Sequence, residues 1–194
     1  MIKKFWEKIK EYDKIANIGD IGRRVIANNG FDGILTAMGI IMGSFFGKVT
    51  EPKFIITAGL GASIAMGVSG AWGSYLTEKA ERNKEIKELE KALMKKMHNT
   101  LVRKAHNHAI LIITLLDGLS PFLASFIVLI PFFIFSSAII MYSYVSSIIL
   151  AFVLLILLGG FLGRVSRESM FKYALNMVFA GIICMILTTL IGFI

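Results

Sequence analysis

Apolar positions in this chain fall into long unbroken runs rather than short alternating stretches. Residues 25–47 hold one charge, Asp32, and residues 54–77 hold none. Residues 105–163 hold no Lys or Arg and a single acid, Asp117, and residues 173–194 hold no charge at all. A helix needs roughly 20 apolar residues to cross a bilayer. The block 105–163 is long enough for two crossings, so the pattern predicts five spans. Backbone groups in lipid must be satisfied internally, which makes the spans helices. The period-two alternation of a membrane β-barrel is missing. The expected class is an all-α membrane protein with five transmembrane helices. The spans are placed at Val25–Gly47, Phe54–Thr77, His108–Phe135, a segment ending at Gly163, and Tyr173–Ile194. Pro121 and Pro131 are expected to interrupt the third. A polar, aromatic connection holding Ser136, Ser137, Tyr142, Ser143, Tyr144 and Ser147 is expected before the fourth.

The segments between the spans divide the rest. Residues 1–24 place Ile2, Phe5, Trp6, Ile9, Tyr12 and Ile15 on one helical face and most lysines elsewhere, as in an amphipathic helix resting on a membrane surface. Packing of that helix on another cytoplasmic segment is the alternative. Gly19 and Gly22 are expected to break it. The organisation is therefore 1–24 interfacial helix, 25–77 spans one and two, 78–107 a charged cytoplasmic helix, and 108–194 spans three to five.

Charge orients this frame. The formal net charge is +8, from 21 Lys+Arg against 13 Asp+Glu. In a soluble protein that would suggest nucleic acid, but here the basic residues flank the spans. Lys plus Arg number 7 before span one, 2 between spans one and two, 9 between two and three, none between three and four, and 3 between four and five. The rich segments all fall on one side of a five-span protein. The positive-inside rule then puts the N-terminus in the cytoplasm and the C-terminus outside. The chain is 56% hydrophobic and 18% charged, far from a soluble composition. The charged first 24 residues do not read as a cleavable signal peptide. The single cysteine, Cys184, lies mid-span and excludes a disulfide framework.

Few groups are left to carry chemistry. An aspartate deep in an apolar span costs about 2.5–3.5 kcal/mol on insertion scales. Asp32 shares its helix face with Asn28, Asn29 and Thr36, an oxygen-bearing stripe suited to a hard or borderline cation or to a proton relay. Asp117, also followed by glycine, is the other span acid. Glu78, Glu81, Glu85 and Glu88 lie on one side of a helix and could offer oxygen ligands to a divalent ion. Ordinary i,i+4 pairs, Glu78–Arg82 and Lys84–Glu88, are the competing reading. Met94, Met97 and His98 add softer donors, with His106 and His108 nearby. Met38, Met42 and Met66 read as packing. Gly39, Gly43 and Gly47 form a G-x-x-x-G-x-x-x-G row. Gly59, Ser63, Gly67, Gly70 and Ser74 form a second small-residue row. Either suits close helix packing, within one subunit or between two. No nucleotide loop, nucleophile elbow, zinc-type Cys/His set or redox pair is present, so nothing argues for an enzyme.

Asn29-Gly30-Phe31-Asp32-Gly33, with Leu35-Thr36 and Gly39, resembles the first-span signature of the vacuolar iron transporter family. Gly73-Ser74-Tyr75-Leu76 followed by Glu81 resembles the family's exit from span two. Pro121 with Ile130-Pro131-Phe132-Phe133 resembles its third span, and residues 159–194 resemble its last two. The resemblance implies a homodimer of five-span subunits that exports ferrous iron, or manganese, from the cytosol in exchange for protons. It implies a metal and proton role for Asp32 between subunits and metal gathering at Glu78, Glu81, Glu85 and Glu88. The chain departs from the family where its span-two methionine falls at Gly70, with Met66 one turn earlier; Met66, and Met94 as a thioether in the charged segment, are carried as candidate ligands. No resident cofactor is implied, only transported Fe2+ or Mn2+. The partners are a divalent metal ion, protons, the lipid bilayer and a second copy, with no nucleic acid. A prokaryotic plasma membrane is the expected location, or a vacuolar membrane in a eukaryote. The chain departs from the family in a shorter cytoplasmic insertion and in the lack of an acid in span two. A non-transporting membrane scaffold with the same fold, or a transporter of a different cation, are the alternatives.

Overall fold

The computed structural model describes residues 10–97, 100–135 and 139–192. Within them the chain is helical. A short helix α1 covers residues 10–16. It is followed by α2 (Ile18–Phe46), α3 (Pro52–Leu93), α4 (Leu101–Ile134), α5 (Ile140–Val165) and α6 (Met170–Gly192). The five long helices are each long and apolar enough to cross a membrane. Two compact units share them. One comprises residues 1–26 and 67–119, the other 27–66 and 120–194.

Several boundaries differ from expectation, each for a local reason. The break before the first span falls at Asn17, not at the glycines. Asn17 takes a left-handed conformation with φ 50°, and the Gly19 N–H donates to the Asp13 carboxylate at 2.6 Å. Gly22 continues α2 and sits against the Leu116 side chain, where even a Cβ would come within 2.9 Å. The second span and the charged segment form one helix, because residues 74–93 contain no Gly or Pro. At 42 residues α3 is about 63 Å long. Helix α4 runs straight through Pro121 and Pro131. Membrane helices tolerate proline; the Pro131 carbonyl keeps its helical bond from the Phe135 N–H at 3.1 Å and also accepts from the Ser143 hydroxyl at 3.4 Å. Tyr142, Ser143, Tyr144 and Ser147 belong to α5 rather than to a connection. Ser143 and Ser147 are buried, and the Tyr144 hydroxyl donates to the Val49 carbonyl at 2.9 Å.

In the larger unit, α2 buries Ala27, Gly30, Gly33, Ile34, Ala37, Met38 and Ile41. This three-and-four spacing is that of one helix face. Ile34, Met38 and Ile41 join Ile55, Val128, Leu129, Phe132, Tyr144 and Leu155 in its core. Helices α5 and α6 form a hairpin whose backbones nearly touch. A Cβ on Gly159 would lie 2.5 Å from Ala174 Cα, and one on Gly163 would lie 2.6 Å from Met170 Cα. In the other unit, Ala16, Ile18, Ala105, Ala109 and Ile113 form the core, with Tyr12 and Ile15 packed on it. Tyr12 stacks on His108 with ring centroids 4.8 Å apart. The described part of the N-terminal amphipathic stretch thus lays its apolar face on the start of α4. Ile2, Phe5, Trp6 and Ile9 lie outside the described residues.

Besides α1, which ends at Asn17, three helices end on a left-handed residue that carries a side chain. These are Lys48 (φ 55°), Met94 (φ 50°) and Arg167 (φ 56°). In each case the next N–H reaches back five residues: Val49 to Ser44, Lys95 to Glu90 and Glu168 to Gly163, at 3.0, 3.2 and 3.0 Å. This is the Schellman closure that glycine favours. Met94 is 97% exposed, so its side chain contributes little packing. Met94→Gly is expected to stabilise the protein by about 0.5–1 kcal/mol, by relieving the left-handed strain. A raised thermal midpoint in detergent would show it, and a lowered one would refute it.

Candidate metal site and helix faces

Asp32 lies on the face of α2 opposite the buried stripe. The residue is exposed, as is Asn28 one turn before it. No described residue pairs with its carboxylate. Gly39 and Gly43 fall on the same face, 7 and 11 residues on. A Cβ added at either would meet nothing within 4 Å. The next residue, Gly33, points the other way and is pinned. A Cβ there would lie 2.4 Å from the Pro121 carbonyl oxygen and 2.8 Å from Pro121 Cα. The Ser125 hydroxyl donates to the Gly33 carbonyl at 2.7 Å. Asp32 is therefore presented by a rigid turn of helix, on a surface that the subunit leaves open.

The two small-residue rows, indistinguishable by spacing, separate here. Gly47 lies just beyond the end of α2, and Gly39 and Gly43 have no neighbour. The second row is used inside the chain. In the larger unit Gly59 faces Leu129, whose Cδ1 would be 2.5 Å from a Cβ, and Ser63 is fully buried. In the other unit a Cβ on Gly118 would meet the Gly67 carbonyl oxygen and Ala71 Cβ, both at 2.8 Å. Gly70 abuts the Asp117 backbone there. Asp117 is half-buried and engaged in this packing.

The four glutamates after span two are divided by Arg82. Its guanidinium is buried and donates to Glu78 at 3.3 Å, Glu85 at 3.4 Å and the Ala16 carbonyl at 3.0 Å. Glu88 pairs loosely with Lys84 at 3.9 Å, and Glu81 is exposed. The buried His106 places Nδ1 3.7 Å from the Glu85 carboxylate, too far for a hydrogen bond. Spacing treats Glu78–Arg82 as an ordinary surface pair, but the arginine also ties α3 to the end of α1. A signal was present in Ile86, buried one turn beyond Arg82, which turns that face inward. Among the described residues no three His, Cys, Asp or Glu side chains converge as a metal-binding set. Met66 is half-buried within α3, and Met94 stands at the far end of that helix. Met97 is buried and its N–H donates to Glu90 at 2.8 Å. His98 lies outside the described residues.

Comparison with known proteins covers nearly the whole chain. The model of the VIT family matches residues 24–112 and 91–193. An uncharacterized protein of Methanocaldococcus jannaschii is 31% identical over 176 residues, which is 89% of this chain and 90% of that protein. No solved structure matches.

Proposed function

Because the chain belongs to the VIT family, a family of membrane metal ion transporters, we propose that it exports ferrous iron or manganese from the cytosol in exchange for protons. The observation that carries this reading is the unpaired Asp32 on the open, glycine-lined face of α2. An ionised aspartate facing lipid would keep its full cost of about 2.5–3.5 kcal/mol. Cover by a second copy, with water and cation between the two, removes that cost. Two copies of Asp32 then supply two carboxylates across a two-fold axis. Oxygen donors of that kind suit a hard or borderline divalent ion. A metal leaving the pair exposes it to protonation, which couples the two fluxes.

The orientation implied by the Lys and Arg bias puts the glutamates after span two on the cytoplasmic side. Glu81 and Glu88 stand open there and would draw cations toward the membrane. Glu78 and Glu85 contribute less charge, since Arg82 offsets one of their two charges. The decisive experiment is Fe2+ and Mn2+ uptake by proteoliposomes under an imposed pH gradient. Flux equal to that of empty vesicles overturns the proposal.

The face itself is tested separately. Gly39→Leu is expected to weaken self-association by about tenfold or more, because it holds the two backbones apart. Light scattering of the detergent-solubilised protein would read the change in mass. An unchanged dimer would move the interface elsewhere.

A further inference from the structure

One polar groove is not used by the transport reading. In the unit of residues 1–26 and 67–119, α3 and α4 enclose a cavity of about 390 Å3. Tyr75, Lys79 and Asn83 line it from α3, one turn apart. Arg103, Asn107, Ile110, Leu111 and Thr114 line it from α4. The charged groups in it are both cations, and neither has a carboxylate partner among the described residues. Lys79 instead rests on Tyr75, with Nζ 3.0 Å from the hydroxyl oxygen and 5.0 Å from the ring centroid. The hydroxyl of Thr114 is buried with no hydrogen-bond partner.

The groove is graded along its length. Lys79, Asn83, Arg103 and Asn107 lie toward the charged ends of the two helices. Ile110, Leu111 and Thr114 lie toward the apolar run of α4. Leu76, Leu111 and Leu115 are more than half exposed. A ligand that fits must carry a negative head and an apolar body.

The geometry points to a site for the phosphate headgroup of an anionic phospholipid of the cytoplasmic leaflet, clasped between Lys79 and Arg103. The arginine fork donates to two phosphate oxygens at once, and the lysine adds a second point of charge. Asn83 and Asn107 offer amide donors beside them. The acyl chain runs along Leu111 and Leu115. Basic pockets between transmembrane helices on the cytoplasmic side bind acidic headgroups in this way. A transported cation is disfavoured there by two positive charges and no acid. Residues 1–9 carry three lysines against one glutamate, so the chain's own terminus is also of the wrong sign.

The test is lipid binding to the purified full-length protein, read by native mass spectrometry as phosphatidylglycerol or phosphatidylcholine is titrated. Saturable phosphatidylglycerol binding, with weak phosphatidylcholine binding, is expected. Lys79→Gln with Arg103→Gln should weaken it about 30-fold, since each basic group near an anionic surface is worth roughly a fivefold change. Lys84→Gln with Lys87→Gln removes equal charge outside the groove and should weaken it far less. An equal loss in both pairs would reduce the effect to general attraction and overturn the site. If inorganic phosphate displaces the lipid at equal concentration, the groove is a free-anion site and the lipid assignment fails. If the first pair alters the mass of the assembly but not lipid binding, the groove belongs to a protein interface and the assignment fails as well.

Discussion

Asp32→Asn is expected to cut metal flux by about 100-fold or more, in a protein that still folds. The reasoning starts from cost. The carboxylate is the sole charge between Arg24 and Lys48 and has no pairing side chain among the described residues. Its replacement therefore breaks no internal bond. It lightens part of the cost that an ionised carboxylate carries in the uncovered chain, about 2.5–3.5 kcal/mol, so stability should hold or rise. Transport moves the other way. Asparagine keeps the shape and one oxygen but carries no charge to balance a divalent ion and has no exchangeable acid proton. Losing even an outer-shell partner typically costs 10–100-fold at a metal site, and a direct carboxylate should cost at least the upper end. Proteoliposome flux of Fe2+ and Mn2+, with a thermal melt of the same preparation, gives both numbers. Asp32→Glu should retain part of the flux, since it keeps the charge and moves it by one methylene. Flux near wild type in Asp32→Asn would remove Asp32 from the path.

The adjacent residue gives the opposite outcome. Gly33→Ala should destabilise the protein by about 3 kcal/mol or more. The new methyl would stand 2.4 Å from the Pro121 carbonyl oxygen and 3.0 Å from its carbonyl carbon. These are backbone atoms of a residue whose ring fixes its own torsion, so they cannot swing aside. Overpacking of a well-filled site usually costs 1–3 kcal/mol, and rigid neighbours push it to the upper end. The hydrogen bond from Ser125 to the Gly33 carbonyl would be stretched as well. Gly39→Ala is the matched control, on the same helix with nothing within 4 Å of its Cβ. It should leave subunit stability unchanged or raise it slightly through helix propensity. Equal melting of the two variants would show that the crossing at Gly33 is looser than described.

What the amino-acid order revealed follows from which forces are local. Spans are read from charge-free runs, because the bilayer penalises each charge independently of the rest of the fold. The four runs yield five helices long enough to cross. Boundaries depend on a few torsions and contacts, and there pattern misleads. Gly19 and Gly22 look like breakers, but Gly22 is a packing residue and Asn17 makes the turn. The serines and tyrosines of 142–147 look like a loop, but α5 buries Ser143 and Ser147 and gives the Tyr144 hydroxyl a carbonyl. Pro121 and Pro131 look like interruptions, yet α4 carries both. The functional residues divide in the same way. Asp32 stands out because its cost is local. The Glu78–Arg82 pair was legible from spacing, but the burial of Arg82 was hidden, because it needs the Ala16 carbonyl from 66 residues away. The two small-residue rows had equal spacing. Only their surroundings tell that one packs within the chain and the other faces outward.

The unbroken α3 has a mechanical consequence. From Ser74 to Leu93 it is a stiff rod of 20 residues, about 30 Å long, with no glycine or proline to act as a joint. Any rocking of the rod would carry its tip and, through Arg82, the end of α1 with it. A tilt of about 10° would swing the tip by about 5 Å, the pitch of one helical turn. Glu81, Glu85 and Glu88 ride on that arm, so their distance from the membrane changes with the state of the span below them.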